Sequence, residues 1–160
     1  MSVWSVVVGG LAGTFVLTTM LRVASEAGLT RMDIPFLLGT AFTGNRSQAK
    51  AIGYAAHAVA GVCFAFVYYA LFQVLGTSSW WLGALFGLAH ALFAGIVLVN
   101  VLLPLVHPRM GSGFTAAPDV AMLEPPGLLM LNYGVRTPIV AIVAHIAYGA
   151  LVGAIISIGS

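Results

Sequence analysis

The sequence predicts an all-α integral membrane protein, a four-helix antiparallel bundle with two long loops on one side. Three observations predict it. First, the 160-residue chain is 61% hydrophobic and only 6% charged, with a mean hydropathy of +1.06. Soluble domains carry about 25% charged residues. A chain with so few cannot solvate a globular surface, and lipid is the solvent that suits it. Second, four apolar runs are long enough to cross a bilayer, which takes about 20 residues: 3–21, 51–75, 80–106 and 137–157. Third, small residues recur in those runs at spacings of three and four, which lets helix backbones approach closely. A single transmembrane domain, 1–160, takes in the whole chain.

The first run is marked by Gly9, Gly10 and Gly13. Its start, MSVWSVVVGG, lacks the basic residues of a signal peptide, so it reads as a retained span. The loop 22–50 holds IPFLLGTAF (34–42), too short to span. An acid precedes it and proline lies near its start, as at many helix N-termini. Thr30-x-x-Asp33 resembles a capping box. Two readings are open: a short interfacial helix on the membrane surface, or a loop folded against the bundle floor. The second and third runs are separated only by residues 76–79, so they form a tight hairpin. The loop 107–136 holds PPGLLMLNY (125–133), a second candidate for a short interfacial helix. The fourth run carries Gly149 and Gly153.

Charge sets the orientation. Arg22, Arg31, Arg46, Lys50, Arg109 and Arg136 all fall in the two long loops, as do Glu26, Asp33, Asp119 and Glu124. The positive-inside rule places both long loops in the cytoplasm and both termini outside. Trp4, Trp80 and Trp81 then mark the outer interface, where indole rings prefer to sit. The pI near 9.0 comes from this small excess. No basic cluster of the kind that binds nucleic acid is present. Cys63 stands alone, which excludes an internal disulfide, a thiolate pair for zinc and a haem-attachment motif. It reads as a small buried hydrophobe.

The two halves share short patterns. Arg31-Met32-x-x-x-Phe36 matches Arg109-Met110-x-x-x-Phe114, and Gly44-x-Arg46 matches Gly134-x-Arg136. A duplication would make two parallel two-helix repeats about an axis along the membrane normal, a transporter architecture.

Three histidines fall within spans, on three different helices: His57, His90 and His145. Ionisable groups at membrane depth face the bundle interior and mark sites or pathways. Gly53 and Gly61 flank His57, while Gly87 and Gly149 lie near His90 and His145. These four glycines are the candidate helix-packing positions. Counting 1.5 Å per residue from the run ends puts His57 and His145 at one level and His90 roughly 10 Å above them. Two imidazoles at one depth can ligate a b-type haem iron or bind a transition metal. An imidazole also titrates near neutrality, as a proton relay requires. The plainer role is interhelical glue, with Tyr54, Tyr68, Tyr69 and Tyr148 as available partners. His107 and Met110 form a second candidate metal pair near the inner mouth. The alternative there is a helix stop at Pro108 with Arg109 anchored to lipid phosphate. Asn100 reads as a packing hydrogen bond, and Asp33 and Glu124 read as caps.

No nucleophile elbow, phosphate loop or HExxH is present. The functional expectation is therefore an intramembrane histidine site in a redox or transport role. Two alternatives stand beside it: a non-catalytic subunit of a larger membrane complex, and a small carrier acting as a homo-oligomer.

TRMDIPFLLGT (30–40), HPRM (107–110), EPPGLLMLNYG (124–134) and HIAYG (145–149) together resemble a family of small four-helix bacterial inner-membrane proteins with no established activity. The resemblance implies a bacterial source and a four-helix fold, and no function.

Overall fold

The structure, a computed structural model, describes residues 2–111 and 122–159. Among them, four helices are long and apolar enough to cross a membrane. α1 is Val3–Glu26, α3 is Arg46–Leu75 and α6 is Thr137–Ile158. The third span, Trp80–Val106, runs through α4 (Trp80–Phe93), a π-helical segment (Ala94–Leu102) and α5 (Leu103–Val106). Pro104 has no N–H to give and crowds the carbonyl four residues back, so the regular α register cannot pass through Asn100 undisturbed. A short α2, Ile34–Gly39, lies in the first loop.

Local chemistry sets the helix ends. Ser2, Asn45 and Ser79 each accept a backbone N–H as N-caps of α1, α3 and α4. Gly76, at φ 67°, ends α3 in the left-handed conformation. Two ends differ from expectation. α1 continues to Glu26 and α3 starts at Arg46, so Arg22, Glu26, Arg46 and Lys50 ride on helix ends rather than in loops. An apolar run stops at the first charge, but a helix need not. Arg22 and Glu26, four residues apart and paired at 2.9 Å, suit another helical turn.

The spans form an antiparallel square. Gly10 of α1 faces Gly61 and Val62 of α3, while Gly9 and Gly13 face Val152 and Tyr148 of α6. α4 and α6 approach most closely, with Gly83 on the backbone of Gly149 and Gly87 on the carbonyl of His145. A Cβ at Gly83, Gly87 or Gly149 would overlap that facing backbone. The fourth side is wider, and aromatic rings hold α3 off the third span. Phe64 stacks on His90 at 3.7 Å between centroids, and Tyr68 and Phe72 meet Phe86. The main core clusters toward the hairpin end, where Val6, Phe72, Val152 and Ile156 are fully buried. Trp4, Trp80 and Trp81 are exposed near that end. Cys63 is exposed too, not buried as expected, because in lipid an apolar outer face costs nothing.

The described parts of both loops fold into the opposite end. Asp33 caps α2, its carboxylate accepting the Phe36 N–H at 3.0 Å, and it pairs with Lys50 at 3.4 Å. Thr30 is not part of a capping box: its hydroxyl bonds Thr137 at 2.7 Å and accepts the Met32 N–H at 3.1 Å. α2 runs back along α3, with Gly39 on the Ala49 backbone and Gly53 on the Pro35 backbone. The first loop is thus folded against the bundle. The second loop's expected helix is a broken 3₁₀ stretch, Leu128–Tyr133, because Leu129 (φ 51°) and Met130 (φ 64°) are left-handed. Met130 is buried there beside Met32 and Ala141. The halves are not alike. The glycine contact between α1 and α6 has only the wide aromatic side as its symmetry mate, and Phe114 of the proposed repeat lies outside the described residues.

Candidate functional site

His57, His90 and His145 line one cavity of about 140 Å³ inside the bundle. The register of the spans brings them together. Gly83 faces Gly149 and Gly87 faces His145, so His90 stands about level with Ile142, three residues or roughly 4.5 Å from His145. The His90 and His145 rings meet edge to face at 4.8 Å between centroids. The expected 10 Å separation of His90 from His145 is therefore wrong. It was measured from span ends, whereas glycine contacts set the actual register and the third span overhangs α6.

Each imidazole is held through Nδ1. His145 Nδ1 lies 2.7 Å from the Ala141 carbonyl, which can only accept, so this nitrogen carries the hydrogen. His57 Nδ1 lies 3.1 Å from the Thr18 hydroxyl. That hydroxyl gives its one hydrogen to the Thr14 carbonyl at 2.7 Å, so His57 Nδ1 is also the donor. His90 Nδ1 lies 3.3 Å from the Tyr68 hydroxyl, and either group can donate. Hydrogen bonds within the protein thus hold Nδ1 of all three rings and leave Nε2 without one. No buried side-chain nitrogen or oxygen among the described residues lacks a partner. The three Nε2 atoms are therefore not sealed in packing, and the cavity is the space the rings line.

Thr14 also lines the cavity and gives its hydrogen to the Gly10 carbonyl at 2.7 Å. Tyr148 lines it and gives its hydrogen to the Gly61 carbonyl at 2.5 Å. Gly61 has room for no side chain there, since a Cβ would strike Thr14. Sequence reading missed Thr14, Thr18 and Phe64. The signal available was Gly10-x-x-x-Thr14-x-x-x-Thr18, a small and polar stripe at helical spacing on α1. Met32, Ile34 and Met130 bring the two loops to the cavity's floor.

His107 lies apart from this cavity, buried against α2. Its Nε2 sits 3.1 Å from the Leu37 carbonyl and 3.3 Å from the Thr40 hydroxyl, and its Nδ1 accepts the Arg109 N–H at 3.1 Å. Both ring nitrogens are engaged, so the pairing with buried Met110 as metal ligands does not carry forward. His107 instead ties the end of the third span to α2, helped by Arg109, which donates to the Thr40 carbonyl at 2.6 Å. Across the loops, the Arg31 side chain donates to the Asn132 carbonyl at 2.5 Å, and Tyr133 donates to the Glu124 carbonyl at 2.6 Å. Burial, with the Glu124 charge beside it, pushes the Tyr133 phenol up to about 12.

Haem does not fit. The volume, about 140 Å³, is well below the roughly 300 Å³ at which pockets for drug-sized ligands begin. Among the described residues, no three His, Cys, Asp or Glu side chains gather as a ready metal site. Comparison of the chain with protein-family models, curated proteins and solved structures finds no match in any of the three.

Proposed function

We propose that this protein is a small binding protein or carrier of the bacterial inner membrane that takes a ligand into the cavity at His57, His90 and His145. One observation carries the reading. Three imidazoles from three helices open into a single space, each held at Nδ1 and unbonded at Nε2. Histidines acting only as interhelical glue would spend their polar atoms on neighbouring helices. An imidazole held through Nδ1–H with Nε2 free is also the form that ligates transition metals, so a metal ion bound by two of the rings is one ligand class.

A test uses ¹⁵N-histidine protein in lipid bilayers, titrated separately with Zn²⁺, methylammonium and phenol. At least one probe should shift the Nε2 signals of His57 and His145 saturably. The shift should vanish in Ala60→Leu, which fills the cavity. If no probe moves either signal, the reading fails. The orientation rests on the basic residues collected at the loop end. With Cys63 replaced by serine, an impermeant thiol reagent should label Thr77→Cys from outside the cell and leave Gly44→Cys untouched. The reverse pattern would invert the topology.

A further inference from the structure

We infer that the cavity selects a neutral hydrogen-bond donor on a single aromatic ring, a phenol or quinol headgroup, which names the ligand class and rests on the binding role proposed above. Five polar side chains line the cavity: Thr14, His57, His90, His145 and Tyr148. Thr14 and Tyr148 have one hydroxyl hydrogen each, and both go to backbone carbonyls. His57 and His145, as neutral imidazoles, have one N–H each, and both point away to Thr18 and Ala141. Four of the five therefore offer only lone pairs to an occupant. His90 alone can offer either sense, because its partner Tyr68 can give or take.

A site with four acceptors and one group of either sense favours a donor. At four of the five groups a quinone carbonyl or an ether brings lone pairs to lone pairs and leaves both sides unsatisfied, at the cost of desolvation. No carboxylate lines the cavity, so a cation would enter without a counter-charge. A neutral hydroxyl meets neither penalty. Size points the same way. A cavity of about 150 Å³ lined by apolar side chains binds benzene, and this one measures about 140 Å³. Phe64 and the rings of His90 and Tyr148 give it aromatic walls.

The test compares phenol, anisole and benzoquinone on the full chain in bilayers, read by the Nε2 signals of His57 and His145. Phenol should bind, and anisole, with the same ring and no donor, roughly tenfold or more weaker. Benzoquinone should bind as weakly as anisole. Ala60→Leu and Ala94→Leu should each abolish phenol binding while keeping the wild-type helical circular dichroism, so failure of one to fold leaves the other. An alkyl-tailed hydroquinone binding more tightly than phenol assigns the lipid pool as source, and equal affinity assigns free phenols. Both satisfy the inference. Anisole binding as well as phenol would overturn it. Zn²⁺ binding without phenol binding would overturn it and leave the proposed function standing, whereas silence from every probe removes both.

Discussion

The hairpin end and the loop end of this bundle are built by different rules. At the hairpin end, glycine faces glycine between α4 and α6, and Phe72, Val152 and Ile156 are sealed in a continuous core. At the loop end the spans do not close on one another. α2 and the 128–133 turns fill the space, and two methionines, Met32 and Met130, form the small core there. Methionine is flexible and fills irregular gaps, and π-helical turns, which often mark functional sites, face the same region. The contrast teaches where a membrane bundle can hold a cavity: where backbones touch, nothing fits between them.

The comparison breaks most sharply at glycine. Gly149→Leu should destabilise the fold by about 3 kcal/mol, the upper part of the overpacking range, since even a Cβ meets the Gly83 carbonyl. Gly95→Ala at the loop end should cost about 1 kcal/mol or less, because its Cβ would meet chiefly the Leu129 side chain at 3.0 Å. Equilibrium unfolding in mixed detergent micelles measures both. Equal losses would erase the distinction between the ends.

A smaller effect concerns the tie between α2 and the third span. His107→Ala should cost about 1–2 kcal/mol through lost buried hydrogen bonds. Hydrogen exchange should quicken in α2 and stay unchanged in α4. Exchange rising equally in both helices would show that the loop end is not a separate unit.

The smallest effect is with pH. The Tyr133 phenol is raised in the folded state to about 12, against about 10 in an unfolded chain. The folded state therefore holds this proton more tightly. Its contribution is complete below pH 10 and fades between 10 and 12. The phenolate absorbance difference between the protein and its Tyr133→Phe variant should assign a late-titrating phenol to Tyr133, and that phenol should return to the ordinary range in Glu124→Gln with Tyr133 unpacked by Met130→Ala. A Tyr133 titrating near 10 in the intact protein would show that the second loop is not packed as described.

Much of the bundle was legible in the sequence, because lipid leaves a plain record: apolar runs, tryptophans near one end, and charges at the other. What lay past the first charge was not. Arg22 and Glu26 extend α1 by pairing with each other, which a hydropathy count cannot register. Leu129 and Met130 adopt left-handed backbone conformations that nothing in their side chains announces. At the site, the histidines themselves were visible, but their meeting was not. His90 reaches His145 because Gly83 and Gly87 fix the register against α6, and span ends carry no such information. Thr14 and Thr18 escaped notice because threonine in an apolar run reads as one more small residue. Their role appears only when each hydroxyl hydrogen is followed to its acceptor.

The central claim is that His57 and His145 commit their hydrogens to the protein and present bare Nε2 atoms to a ligand. ¹⁵N solid-state NMR of the ligand-free protein in bilayers reads this directly. The account predicts that His57 and His145 are both neutral with hydrogen on Nδ1 and a lone pair on Nε2. Finding either ring doubly protonated, or protonated at Nε2 instead, would contradict it.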